Sequence, residues 1–265
     1  MKKILSGWSL IRFYTLLVYI WMFAPIVAVV LLSFNPKQFG SFPMEGFSFR
    51  WYVELAHNPT ILGAFKNSLI LGSLTAVLAT TIAVPAAMAF VRYEFRGKDF
   101  FNTLLIAPIM IPEVVLGVAL LLFIRWLQQP KSFALLLVGH VVLTLPYVLL
   151  VVQARLVGIR KDYEEAARSL GAGPLQTFKE ITLPFLAPAI FAGMLFSFTI
   201  SFDDVTATLF WATAEQQTVP VKIFGMLRNS ISPEINALGA VMIVLTVSLP
   251  LIAGYLSRRF ARGKG

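Results

Sequence analysis

The sequence predicts an all-α integral membrane protein with six transmembrane helices. Of its 265 residues, 58% are hydrophobic and 13% are charged, which is more apolar surface than a single soluble core can bury. Long apolar stretches alternate with short segments that hold the basic residues. Hydrocarbon offers the backbone no hydrogen-bond partners, so a stretch that crosses it must form a helix.

The spans follow from the apolar stretches in chain order. Five stretches contain no charged residue, and each can cross about 30 Å of hydrocarbon at about 1.5 Å per residue. We interpret a sixth, which contains Glu113, as a span with a functional acid, because the loops would otherwise not alternate between the two sides. The first run exceeds the usual length of the apolar core of a signal peptide, and no small-x-small cleavage site follows it, so we expect it to stay uncleaved. The predicted spans are 12–34, 67–91, 100–126, 133–156, 184–210 and 236–257, in one membrane domain that covers 1–265.

Lys and Arg residues set the expected orientation. Most of them lie in the N-terminus, the second and fourth loops and the C-terminus, so the positive-inside rule places both termini in the cytoplasm. The net charge of +9 therefore reflects basic residues that flank the spans. We expect membrane lipid as their partner and no nucleic acid. The absence of cysteine from the sequence excludes disulfides, iron–sulfur clusters and cysteine-bound zinc.

The fourth loop, over 157–183, has the pattern of two short helices. Asp162 is a candidate N-cap with Glu165 at the third helical position, and Gly171 can take the left-handed conformation that ends a helix. Pro174 suits the first position of the second helix. The apolar residues expected to share one face of that helix are Leu175, Phe178 and Ile181. Helices this short are marginal in water, which implies a soluble partner for them to pack against.

This loop also carries a motif. Glu165-Ala166-Ala167 is followed after three residues by Gly171, and after nine more by Ile181-x-Leu183-Pro184. The pattern resembles the EAA loop of ABC importer permeases in every defining position, and the six-helix layout fits the same family. The resemblance implies the type I importer permease fold in a bacterial inner membrane. The residues that it assigns to coupling with an ATPase are Glu165, Ala166, Ala167, Gly171, Leu183 and Pro184.

The same resemblance implies the partners. They are a dimer of ATPase subunits, a second and non-identical permease, and a solute-binding protein on the outer face. The sequence contains no G-x-x-x-x-G-K-[ST] motif, so this chain lacks the loop that cradles the phosphates of ATP. We therefore expect a transport subunit that is not itself an enzyme and holds no cofactor, with ATP and magnesium on the ATPase.

Ionisable side chains within a span are costly and mark candidate functional sites. On the predicted fifth span, Ser197, Ser201, Asp204 and Thr208 recur at helical spacing, and Asp203 lies on another, shorter stripe. The longer stripe favours Asp204 over Asp203. The residues predicted to line a substrate path are Glu113, Ser201, Asp203, Asp204 and Trp211.

Each of these assignments has a structural alternative. The carboxylates could pair with helix ends, with Arg125 or with a neighbouring protomer. His140 is best explained as a histidine hydrogen-bonded to a neighbouring helix. By their positions, Trp51, Trp126 and Trp211 are expected in an interfacial aromatic belt.

Three acids against one possible base favour a cationic solute in a path of low dielectric constant. Four segments resemble the spermidine/putrescine permease branch of the family, which implies a cationic amine. These segments are Pro112-Glu113-Val114, Leu145-Pro146, Ser201-Phe202-Asp203-Asp204 and Ser232-Pro233-Glu234-Ile235-Asn236-Ala237-Leu238. An amino acid, an opine, a phosphonate or ferric ion stays open, because the binding protein usually sets selectivity. Outside importers, the alternative is a secondary transporter or channel.

Overall fold

The computed structural model describes residues 2–37, 43–44, 46–229 and 233–262. Ser232, the first residue of the last motif above, lies outside them. All regular secondary structure in these residues is helical. The α-helices are α1 (Lys2–Leu32), α2 (Arg50–His57), α3 (Pro59–Arg92), α4 (Lys98–Ile106), α5 (Glu113–Trp126), α6 (Phe133–Val157), α7 (Asp162–Ser169), α8 (Pro174–Thr177), α9 (Leu183–Asp203), α10 (Thr206–Trp211), α11 (Val219–Asn229) and α12 (Pro233–Arg262).

The prediction of six spans is confirmed when a broken helix pair counts as one span. Five helices are long and apolar enough to cross a membrane by themselves. The segments α4 and α5, joined through the 3₁₀ turn Ala107–Met110, pass the same test as a pair but are bent by 110°. The expectation of one uninterrupted helix over 100–126 is therefore wrong. Ile111 is extended at φ −93° and ψ 130°, because a residue before proline is disfavoured in the helical conformation.

The predicted fifth span, 184–210, also breaks. Helix α9 ends at Asp203, and Asp204 is extended at φ −66° and ψ 129°. The short helix α10 then begins at Thr206. A continuous polar stripe through residue 208 therefore does not exist.

Contacts divide the chain into two compact units, one within residues 1–62 and 223–245 and the other within 63–222 and 246–265. In the first unit, the Trp51 indole N–H donates to the Asn35 carbonyl oxygen at 2.8 Å. The second unit packs α6 against α9 and α3 around a core that includes Ala83, Val148 and Leu186. All of the candidate site residues lie in the second unit. The single-domain assignment stays a prediction.

The expected belt of tryptophans is wrong for two of its three members. Trp126 is 77% exposed, but Trp51 is 6% exposed and Trp211 is 2% exposed. Both buried rings direct the indole N–H to a backbone carbonyl oxygen, of Asn35 for Trp51 and of Gly117 for Trp211. A buried indole is stable when its one donor is satisfied in this way.

Candidate functional site

The first helix of the loop starts differently from the prediction. Lys161 precedes it with helical φ and ψ angles, and no side chain caps it. Asp162 is the first helical residue instead, and its carboxylate pairs with the guanidinium of Arg160. This exposed pair holds the pKa of the Asp162 carboxyl below its usual range. The prediction that Asp162 is the N-cap is wrong, because its carboxylate pairs with the neighbouring Arg160 instead of capping the helix.

The end of this helix confirms the role expected of Gly171. Its φ angle is +91°, a conformation that glycine adopts without a steric cost. The Gly171 N–H bonds to the Arg168 carbonyl oxygen at 2.9 Å, and the Ala172 N–H bonds to that of Ala167 at 3.0 Å. Together these are the two bonds of a Schellman C-cap. Pro174 then opens α8 at its first position, also as predicted.

The predicted apolar face of the second helix is wrong. Phe178 turns inward and packs against the core, while Leu175 is exposed. Residues Phe178–Thr182 form a π-helical turn. This turn has more residues than an α-helical turn, so the period of 3.6 residues does not continue through it.

An open groove of about 630 Å³ lies on the loop. Three residues of the predicted coupling set line it, namely Ala166, Ala167 and Gly171. Leu170 also lines it and is 89% exposed. An exposed leucine beside two alanines and a glycine is an attractive surface for an apolar side chain of another protein. The other predicted coupling residues, Glu165, Leu183 and Pro184, are exposed outside the groove.

A buried pair, Arg92 and Glu164, anchors the loop to the rest of the chain. The sequence did not indicate this pair. Glu164, beside the motif, is buried and accepts hydrogen bonds from Arg92 at 3.1 Å and from the Thr182 hydroxyl at 3.0 Å. Arg92 and Glu164 are 72 residues apart. No local spacing rule connects residues at such a separation.

At the break of the fifth span, Asp204 is a helix cap. Its carboxylate accepts from the backbone N–H groups of Ala207 at 3.2 Å and Thr208 at 2.7 Å, and from the Thr208 hydroxyl at 2.6 Å. These bonds satisfy donors that the start of α10 would otherwise leave unpaired. The structural alternative, a carboxylate that binds a helix end, therefore describes Asp204.

His140 lies fully buried beside this cap and bridges two helices, which confirms its expected bonding to a neighbouring helix. Its Nδ1 is 2.8 Å from the Ser201 hydroxyl and its Nε2 is 3.0 Å from the Thr208 hydroxyl. Thr208 donates its proton to Asp204, so it accepts one from Nε2–H, and Nδ1 accepts from Ser201. The network therefore satisfies a neutral histidine with one defined tautomer.

The other two acids are exposed on this chain. Glu113 is the first residue of α5. Asp203 accepts from the Thr246 hydroxyl at 3.0 Å. The preference for Asp204 over Asp203 rested on a continuous helix. With the helix broken, Asp204 is buried and Asp203 is exposed.

Trp211 completes the packing around the network. Its indole donates to the Gly117 carbonyl oxygen at 2.8 Å, and its ring meets that of His140 edge-on at 6.1 Å between centroids. The ring lies directly over Gly139, where any Cβ atom would overlap it. That these residues line a substrate path stays a prediction. Among the described residues, no group of three or more potential metal ligands occurs.

Broken apolar helices, acids placed within the spans and an exposed two-helix loop define a membrane transport component. The chain belongs to the family described as the inner membrane component of binding-protein-dependent transport systems, which matches residues 79–262. It is 34% identical over 248 residues to the spermidine/putrescine transport system permease protein PotC of Shigella flexneri, covering 94% of each chain. It is 33% identical over 262 residues to the putrescine transport system permease protein PotI of Escherichia coli, covering 96% of this chain and 92% of PotI.

The fold also matches a solved structure. A bacterial ABC transporter involved in the import of the acidic polysaccharide alginate contains a chain that superimposes with a TM-score of 0.78. The match covers 97% of this chain and 98% of that one, at 18% sequence identity. The predicted fold of an ABC importer permease is therefore confirmed.

Proposed function

We propose that this chain is the permease subunit of an ATP-driven importer of a cationic amine of the spermidine and putrescine class. The observation that carries this proposal is the 34% identity to PotC, which extends over 94% of both chains. PotI, which is named for putrescine transport, is similar over nearly the same length. A likeness that covers the path-forming helices as well as the loop supports a shared class of solute.

The acids supply a physical reason for an amine. An ammonium group that leaves water costs several kcal/mol unless an opposite charge meets it. Glu113 and Asp203 are the exposed acids within the six spans predicted from the sequence, and we assign them to contact with the solute. We assign Asp204, Ser201 and Trp211 to positioning the helix break beside Asp203.

We assign ATP hydrolysis to a separate subunit, with ATP and magnesium bound there. The loop at 157–183 is the surface that we assign to its docking, because Ala166, Ala167 and Leu170 offer an accessible apolar groove. A second permease and a solute-binding protein complete the complex. In this arrangement the loop and both termini lie on the cytoplasmic side.

Uptake by the complete complex in proteoliposomes tests the solute. We expect labelled spermidine to accumulate only with ATP, and excess unlabelled putrescine to compete. An amino acid, an opine, a phosphonate and ferric ion should not compete. Accumulation driven by an ion gradient without ATP would instead favour a secondary transporter. If only one of the other solutes competes, that solute replaces the amine as the proposed substrate.

Glu113→Gln provides the matched test of the path. The substitution keeps the size of the side chain and removes its charge, so we expect slower spermidine uptake with assembly of the complex unchanged. Glu94→Gln is the control, because Glu94 is also exposed but lies outside the spans. Equal uptake by both variants and the parent would remove Glu113 from the path.

A further inference from the structure

A buried ion pair joins the loop at 157–183, which we call the coupling loop, to the end of a membrane helix. Arg92 is the last residue of α3, and Glu164 is the third residue of α7. The Arg92 Nε atom donates to Glu164 Oε1 at 3.1 Å, and the two side chains are 7% and 8% exposed. The other pairs of Lys or Arg with a carboxylate in the described ranges each include a side chain at least 62% exposed.

Two further hydrogen bonds fix this pair in place. Arg92 also donates from Nη2 to the Ile159 carbonyl oxygen at 3.0 Å, which ties α3 to the turn before α7. The Thr182 hydroxyl donates to Glu164 Oε1 at 3.0 Å, which ties α7 to the π-helical turn before α9. The cluster therefore connects both ends of the loop to one helix. Its charges are paired and hydrogen-bonded, as burial requires.

Helix α3 carries this connection to the far side of the second unit. Thr75 lies about 26 Å along the axis from Arg92 at about 1.5 Å per residue, and its hydroxyl is 3.4 Å from that of Ser201. Further on, the Ser68 hydroxyl accepts from the Val219 N–H at 2.9 Å. Helix α3 therefore connects the Arg92 end with the helix break and with the segment beyond it.

We propose that the Arg92–Glu164–Thr182 cluster is the joint through which movement of the coupling loop is passed to α3. The groove on the other face of the loop receives the ATPase, and the joint prevents α7 from tilting without α3. This role depends on the ATP-coupled import proposed above. Arg92 and Glu164 are positioning residues, since both side chains are buried against each other and act through the helices that they join.

The test is the amount of solute imported per ATP hydrolysed. Glu164→Gln keeps the shape of the side chain and removes its charge. We expect the complex to assemble and hydrolyse ATP, with the ratio of solute to ATP lowered about tenfold. Arg92→Lys should be intermediate, because a lysine keeps the charge but cannot bond to both Glu164 and Ile159 in the fork geometry of arginine.

Glu94→Gln is the matched control. Glu94 lies two residues beyond Arg92 and pairs with Lys98 at the surface, where it is exposed. Its substitution should leave the ratio at the parental value. Glu164→Gln could instead lower assembly and ATP hydrolysis in proportion to uptake, so that the ratio of solute to ATP is unchanged. In that case the cluster only stabilises the fold, and the joint is refuted.

A second measurement separates the joint from the identity of the solute. The natural chain contains no cysteine, so spin labels can be attached at Tyr93→Cys and Arg168→Cys, both exposed positions beside the cluster. If the cluster is a joint, the distribution of distances between the two labels stays narrow when ATP binds to the ATPase. Glu164→Gln should broaden that distribution. If the distance between the two labels changes with ATP when Glu164 is intact, the joint is refuted. This result does not depend on which solute is transported.

Discussion

The coupling loop and the helix break at Asp204 are held in opposite ways. The loop turns an apolar groove and the exposed Leu170 outward, and its polar anchor faces inward. At the break, the Thr208 hydroxyl bonds to both His140 and Asp204, and all three side chains are buried. The loop therefore leaves an apolar surface exposed, whereas Asp204, His140 and Thr208 have hydrogen-bond partners within this chain. Substitutions should affect association at the loop and stability at the break.

Gly139→Val tests how tightly the break is packed. The Trp211 ring occupies the place of any Cβ atom at residue 139, and overpacking a filled core costs about 3 kcal/mol. We expect a lower midpoint in thermal unfolding of the solubilised complex. Gly63→Ala is the control, because nothing lies within 4 Å of the added Cβ atom there. Equal midpoints for both variants would mean that the Trp211 ring can move aside.

Replacing each of the two neighbouring acids with its amide, one at a time, tests the contrast between buried and exposed carboxylates. Asp204→Asn weakens the cap of α10 and should cost about 2 kcal/mol of stability. Asp203→Asn should change stability by less than about 0.5 kcal/mol but should slow uptake of spermidine. Unfolding and uptake measured on the same preparations separate the two effects. Greater loss of stability in Asp203→Asn would contradict the assignment of Asp204 as the cap.

The sequence predicts the loop better than the break because the loop depends on local geometry. Gly171 and Pro174 act through their own backbone conformations, so their roles can be inferred from neighbouring residues alone. The cap assigned to Asp162 failed for a local reason too, since Arg160 competes for its carboxylate. The motif at Glu165 to Ala167 is contiguous and requires no knowledge of the fold.

The break depends instead on contacts between distant helices. The spacing of Ser201, Asp204 and Thr208 fits a continuous helix, and no proline or glycine in that stretch signals its end. Yet His140 bonds to Ser201 on α9 and to Thr208 on α10, across the point where the chain turns. The Arg92 to Glu164 pair was missed for the same reason, since it forms across 72 residues.

Gly171→Ala affects the loop with a smaller expected change. A side chain at φ +91° costs about 1 kcal/mol, so the C-cap of α7 should loosen and the ATPase should bind about fivefold more weakly. Gly173→Ala is the matched control, because Gly173 has φ −69° and open space around it. Co-purification of the ATPase at graded concentrations measures both. Equal binding by the two variants would show that the conformation of Gly171 does not matter for docking.

Single-cysteine cross-linking tests the coupling surface most directly, because the chain has no native cysteine. Leu170→Cys places the reagent on the groove, and Glu215→Cys places it beyond the other end of α9, where the Glu215 carbonyl oxygen bonds to Asn67 near the start of α3. We predict that Leu170→Cys cross-links to the ATPase subunit and that Glu215→Cys cross-links to the solute-binding protein. Cross-linking of the ATPase to Glu215→Cys but not to Leu170→Cys would contradict both the docking surface and the orientation.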